Sequence, residues 1–125
     1  MADTILVVDD DPSIVNLLKE DLEHEGYRVL TGYDGQMALQ LARNTKPSLI
    51  ILDVNMPMLN GIVALEYLRK LSETKNVPVL FLTGENSGAV APALQTAVRV
   101  AHVKKPIDLD DLNSLVRQLI AKYPS

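Results

Sequence analysis

Three short runs of almost unbroken apolar residues do most to limit what this chain can become. They are Ile5-Leu6-Val7-Val8, Leu49-Ile50-Ile51-Leu52 and Val77-Pro78-Val79-Leu80-Phe81-Leu82. A strand wet on one face alternates apolar and polar side chains. A run apolar at every position fits a strand buried on both faces, as in a parallel sheet. Weaker strand patterns lie over residues 28–31 and around Val100–Lys104.

Helical patterns fill the intervals. Ile14, Leu17, Leu18 and Leu22 recur at helix spacing, with Asp11 as N-cap, Pro12 in the first turn and Gly26 just past the end. Asp34 can cap a second helix bearing Ala38, Leu39 and Ala42. A third is expected from about Ile62, with Leu65, Leu68 and Leu71 on one side. The last has Asp108 as cap, then Leu109, Leu112, Leu115, Val116, Leu119 and Ile120. Strand and helix alternate five times, so the expected fold is a doubly wound α/β sandwich. Residues 86–98 carry no charge at all, and Pro92 stands where a fourth helix should begin. A shortened helix packed on the sheet and an apolar face covered by a partner or second copy both fit this segment.

Length and composition narrow the function. At 125 residues, with 47% hydrophobic and 22% charged residues, the chain suits one domain with one core. No apolar run approaches the roughly 18 residues of a membrane span. The start, Met1-Ala2-Asp3-Thr4, has no basic stretch before the first strand, so no signal peptide is expected and a cytoplasmic location is. There is no cysteine, which removes disulfides and thiolate chemistry. A net charge of −4 argues against direct nucleic-acid binding. His24 and His102 are not spaced as a metal-ligand pair, and His24 reads as solvated helix surface.

Ligands of open parallel sheets sit beyond the carboxyl ends of the strands. Here those ends carry Asp9-Asp10-Asp11, Asp53, Thr83 and Lys104-Lys105-Pro106. Each has a bland reading. Asp11 is a helix cap, Asp9 and Asp10 alone are as well explained by capping as by a metal, and a lone Thr or Lys-Pro after a strand is usually structural. Asp53 precedes Val54-Asn55-Met56-Pro57, which is poor capping context. The conjunction at four strand ends is what points to a site. Two carboxylates about 4 Å apart repel by roughly 4 kcal/mol at an effective dielectric of about 20. Asp9, Asp10 and Asp53 should therefore raise at least one proton affinity and attract a hard divalent cation such as Mg²⁺. On that ground Asp10→Asn is expected to stabilise the metal-free protein by about 1–3 kcal/mol.

Taken together, Val8-Asp9-Asp10, Leu52-Asp53-Val54-Asn55-Met56-Pro57 with Gly61, Leu82-Thr83-Gly84 and Lys105-Pro106 resemble the receiver domains of bacterial two-component response regulators, including the chemotaxis-type single-domain receivers. The resemblance spans residues 5–120. It implies a flavodoxin-like sheet of order 2-1-3-4-5 with helices on both faces, and a single receiver over 1–125 with a core of about 4–122. It implies phosphorylation of Asp53 by a sensor histidine kinase or phosphotransfer protein. Mg²⁺ or Mn²⁺ would be held by Asp10, Asp53 and the Asn55 carbonyl, with Asp9 assisting. Thr83 and Lys105 match the residues that contact the phosphoryl group, Asn55 and Glu85 those that tune its loss, and Lys105-Pro106 matches a cis peptide. Output would pass through the fourth helix, fifth strand and fifth helix, to a homodimer through that face or to an effector domain outside this chain.

Departures from the pattern fall on that output face. His102 stands where an aromatic switch residue is usual, and it reads either as a switch or as a half-buried surface ring. Val98-Arg99 replaces a common Gly-Ala. Alternatives are therefore an interaction module whose output no longer depends on phosphate, and a metal-dependent aspartyl phosphatase. The latter would place its nucleophile after the first strand, with a second Asp two residues on, where Asp53 is followed by Asn55. The expected chemistry is self-directed phosphotransfer and hydrolysis, with no external substrate.

Overall fold

The computed structural model describes residues 2–56, 59–84 and 99–124. The segment expected to hold a fourth helix, including Pro92 and Val98, lies outside them, as does Glu85. Five strands form one parallel sheet: β1 (Thr4–Val8), β2 (Arg28–Gly32), β3 (Leu49–Asp53), β4 (Val79–Thr83) and β5 (Val100–Lys104). Their order is β2-β1-β3-β4-β5, as expected. Among the described residues the helices are α1 (Pro12–His24), α2 (Gly35–Thr45), α3 (Gly61–Lys70) and α4 (Leu109–Lys122), the last being the one the sequence counts fifth.

Every residue of β3 and β4 is buried, because each face of the sheet meets helices. One face packs Leu6, Ile50, Leu52 and Phe81 against Ala38 and Ala42 of α2 and Ala64 and Leu68 of α3. The opposite face packs Ile5, Val7, Ile51 and Leu80 against Leu18 and Leu22 of α1 and Leu112 and Val116 of α4. Each fully buried Leu, Ile or Phe contributes about 1.5–3 kcal/mol of transfer free energy. This two-sided burial explains why those strands lack alternation in sequence.

The aspartate caps act as anticipated. Asp11 accepts from Ser13 N, Asp34 from Met37 N, and Asp108 from Asp110 N and Asp111 N. Gly26, past α1, has a φ of 99°, the left-handed region that glycine enters at no steric cost. Two boundaries differ from expectation. Strand β4 begins at Val79, because Val77 N–H bonds back to Thr74 O in a turn and Pro78 has no N–H to give a neighbour. Helix α3 ends at Lys70, and Leu71 is extended with ψ 133°. The Thr74 hydroxyl takes the Leu68 carbonyl at 2.6 Å, a carbonyl that continuing the helix would have used.

Arg99, which leads into β5, sits in the left-handed region with φ 59°, where a side chain costs about 1–2 kcal/mol. Its guanidinium stacks 5.0 Å from the Tyr123 ring centroid. Its carbonyl accepts from Val79 N at 2.9 Å and Arg69 Nη2 at 3.4 Å. These contacts offset the strain. The Lys105-Pro106 peptide is cis.

Candidate functional site

The carboxyl ends of β1, β3, β4 and β5 converge, and register decides what they bring. Val8 pairs with Leu52, Asp53 with Leu82, and Thr83 with Lys104. Asp9, Asp53, Thr83 and Lys105 thus stand at adjacent strand ends. Backbone bonds hold the rim: Asp9 N donates to Gly32 O at 3.3 Å, Val54 N to Leu82 O at 3.1 Å, and Lys105 N to Thr83 O at 2.7 Å.

Asp9 is fully buried and Asp53 is 2% exposed, whereas Asp10 is exposed. Asp9, Asp10 and Asp53 each present an oxygen within 4.8 Å of the others. Lys105 Nζ lies 3.1 Å from Asp9 Oδ2 and 3.5 Å from Asp53 Oδ2, so one ammonium serves two buried carboxylates. Asp9 Oδ1 accepts from Asp11 N at 2.9 Å, and Asp53 Oδ1 accepts from Asn55 N at 3.2 Å. Among the described residues, Asp9 Oδ2 has no hydrogen-bond partner beyond that ion-pair approach.

The electrostatics follow from this crowding, but its leading cause differs from the expected one. Burial, more than mutual repulsion, pushes the Asp53 carboxyl up to about 6; Asp9 and Asp10 add to the rise, while Lys105 and the Asn55 N–H oppose it. Burial likewise raises Asp9 against the pull of the Asp11 N–H and Lys105. For Lys105 burial acts downward, yet the two carboxylates together outweigh it and hold the amine above its ordinary value. Asp10 acts on Asp53 least of the five contributions. The stability gain expected of Asp10→Asn therefore moves to Asp53.

Three carboxylates against one ammonium leave an excess of two negative charges around an oxygen-only donor set. Such a set, with the under-coordinated Asp9 Oδ2, fits a hard divalent cation.

Thr83 is 8% exposed, and its hydroxyl donates to Val103 O on β5 at 3.3 Å. Its contact is thus to the neighbouring strand and not to the carboxylates. His102 pairs with Phe81 across β4 and β5 and is exposed, not half-buried, because only Val103 of β5 faces fully inward. Glu85 lies outside the described residues.

Gly61 has a role that spacing did not reveal. A Cβ there would lie 2.6 Å from Asp53 O, 2.9 Å from Phe81 Cε1 and 3.0 Å from Val54 Cα. Its N–H donates to Val54 O at 2.9 Å, so the start of α3 is pressed tightly on the end of β3. Gly35 is similarly pressed on Leu59, whose carbonyl a Cβ would approach to 2.7 Å. The sequence signals are a glycine opening each helix and, for Gly61, its place four residues past Pro57 in the receiver-like motif.

Comparison with known proteins places this geometry. A family model described as the response regulator receiver domain matches residues 5–117. The uncharacterized transcriptional regulatory protein YrkP of Bacillus subtilis is 40% identical over 123 residues, which is 98% of this chain and 52% of that protein. This chain thus spans about half of that relative. A putative response regulator from Chloroflexus aurantiacus superimposes with TM-score 0.89 at 29% identity, covering 97% of this chain and 99% of the other. The receiver domain of sensor histidine kinase PA1611 from Pseudomonas aeruginosa, solved with a magnesium ion coordinated in its active site cleft, gives TM-score 0.87 at 25% identity over 97% and 99% of the two chains.

Proposed function

This chain belongs to the response regulator receiver domain family of two-component systems, and from that premise we propose that it is a phosphorylation-driven switch with Asp53 as acceptor. The donor is a phosphohistidine on a sensor histidine kinase or phosphotransfer protein. An Asp53 carboxylate oxygen attacks phosphorus, the P–N bond breaks, and its electron pair stays on the imidazole, which takes up a proton. Later a water attacks the same phosphorus, and the P–O bond breaks to return the carboxylate and inorganic phosphate. Catalysis is confined to the chain's own aspartate.

The observation that carries this reading is Lys105 Nζ held between Asp9 and Asp53, 3.1 and 3.5 Å away. An ammonium so placed can turn to a phosphoryl oxygen without leaving the site. Asp9, Asp10, Asp53 and the Asn55 carbonyl would hold Mg²⁺ or Mn²⁺; when bound, the ion supplies positive charge that shields the phosphoryl oxygens from the carboxylates. The magnesium in the PA1611 receiver supports this. The Thr83 hydroxyl gives up its long bond to Val103 O and donates to the phosphoryl group, shifting β5 and α4 between two packings. By the family pattern, Asn55 and Glu85 set how fast the phosphoryl group is lost.

On the same reading the chain is one cytoplasmic receiver over 1–125, with a core of about 4–122. None of its described helices is long and apolar enough to cross a membrane. Output goes to a homodimer through β5 and the segment expected to hold the fourth helix, which lies outside the described residues, or to an effector region of the kind that the greater length of YrkP supports. Direct nucleic-acid binding is not assigned to the receiver itself, in keeping with its net charge of −4.

The test is incubation with Mg²⁺ and a small phosphodonor, read by intact mass. One phosphoryl adduct on the wild type and none on Asp53→Asn is expected. An unmodified wild type, under conditions that label a control receiver, would overturn the proposal.

A further inference from the structure

Two surface grooves remote from the carboxylate site carry opposite charge. The first, of about 670 Å³, runs between α2 and α3. Its charged lining is Arg43 and Lys70, with no acidic residue, in a chain whose net charge is −4. The second, of about 420 Å³, lies along α1 beside Leu109, and its lining includes Glu20 and Asp21 and no Lys or Arg.

Glu20, Arg43 and Lys70 are exposed enough to meet an outside partner, whereas Asp21 is half-buried with its Oδ2 enclosed, so it contributes through Oδ1. Among the described residues, Glu20, Asp21 and Lys70 have no ion pair, and Arg43 has only Glu73 at a long 4.0 Å. Each groove also holds a large apolar side chain left in water. Tyr67 is 50% exposed and Leu17 is 45% exposed, the two highest values among the exposed large hydrophobics of the described residues.

The two patterns share a register. In the α2–α3 groove, an apolar layer of Leu39 and Tyr67 is followed one turn later by a cationic layer, since Arg43 is four residues past Leu39 and Lys70 three past Tyr67. On α1, Leu17 is followed one turn later by Glu20 and Asp21, at the same three and four residues. A helix rises about 5.4 Å per turn. Laid parallel into the groove, α1 of a second molecule would set Leu17 on Leu39 and Tyr67 while Glu20 and Asp21 meet Lys70 and Arg43. This is helix-in-groove recognition with matched apolar and ionic layers.

We propose that the α2–α3 groove binds the α1 face of a second copy of this chain. The helices α1 and α2–α3 cover opposite faces of the sheet. The contact is therefore heterologous, each molecule offering both surfaces, and it builds head-to-tail rings or open chains larger than a dimer. The surface is separate from β5 and α4, and it requires no phosphorylation.

Sedimentation velocity on the intact chain tests it. In about 0.05 M salt the weight-average mass should rise with concentration past about twice the monomer, and in about 0.5 M salt it should return toward the monomer. Arg43→Glu with Lys70→Glu should abolish growth, as should Glu20→Lys with Asp21→Lys, and mixing the two double variants should restore it. Circular dichroism checks folding; should the α1 double variant unfold, Leu17→Ser and Glu20→Lys singly take its place. A wild type monomeric throughout would overturn the proposal. So would growth unaffected by either reversal, a plateau at a dimer, or a mixture that stays monomeric.

Discussion

Replacing Asp53 by Asn should make the metal-free protein more stable while destroying its capacity to take up phosphorus. Burial carries the Asp53 carboxyl from an ordinary 3.8 to about 6. At 1.36 kcal/mol per pH unit, ionising it in the folded state costs about 3 kcal/mol relative to the unfolded chain. The sign follows from which state holds the proton more tightly. The folded protein does, so the contribution to stability is fully present below about pH 4, falls as pH rises through about 6, and is absent at pH 7.5. Asparagine keeps the shape and can still accept the Asn55 N–H with its carbonyl, but it removes one of the two carboxylates serving Lys105. Allowing for that loss, a gain of about 1–3 kcal/mol is expected at pH 7.5. Urea denaturation of both proteins in chelator, at pH 7.5 and near pH 4.5, measures it. The gap should shrink at the acid pH, where the wild type carries a neutral Asp53. Added Mg²⁺ should also narrow it, because an ion bound only by the folded state stabilises the wild type by mass action. A variant no more stable than the wild type at pH 7.5, or a gap indifferent to pH, would refute the burial argument.

Lys105→Met leaves Asp9 and Asp53 without their shared ammonium, so metal-free stability at neutral pH should drop by about 1–3 kcal/mol and recover in part with Mg²⁺; chemical denaturation with and without chelator checks this. Gly61→Ala forces a methyl to within 2.6 Å of Asp53 O, and a loss of about 1–3 kcal/mol with slower phosphoryl uptake is expected from thermal unfolding and intact-mass time courses. Thr83→Val removes the donor to Val103 O while keeping the shape; phosphoryl uptake should persist, but amide shifts of residues 100–104 on phosphorylation should be much smaller than in the wild type. Phe81→Ala opens a cavity against α3 and should cost about 3–5 kcal/mol by urea titration.

Much of this molecule is legible in one dimension because its rules are local. Runs such as Leu49-Ile50-Ile51-Leu52 announce a strand covered on both faces, and β3 is buried throughout. Asp11, Asp34 and Asp108 announce helix starts because a cap bonds N–H groups two or three residues away, within reach of its own side chain. The order of these signals sufficed for the fold class, and the residue types at the strand ends sufficed to nominate the site.

Tertiary structure alone decided which of two adjacent carboxylates is buried. Asp9 is enclosed and Asp10 faces water, although nothing in the pair's sequence separates them. It likewise placed Lys105 between Asp9 and Asp53, turned the Thr83 hydroxyl toward Val103 O, and left no room at Gly61 for a methyl group. The layered match between α1 and the α2–α3 groove has the same origin, since it joins faces from distant parts of the chain. Propensity and capping act over one helical turn and are written in neighbouring residues. Desolvation, ion pairing and steric closeness depend on through-space distances that exist only once the strands have taken their register.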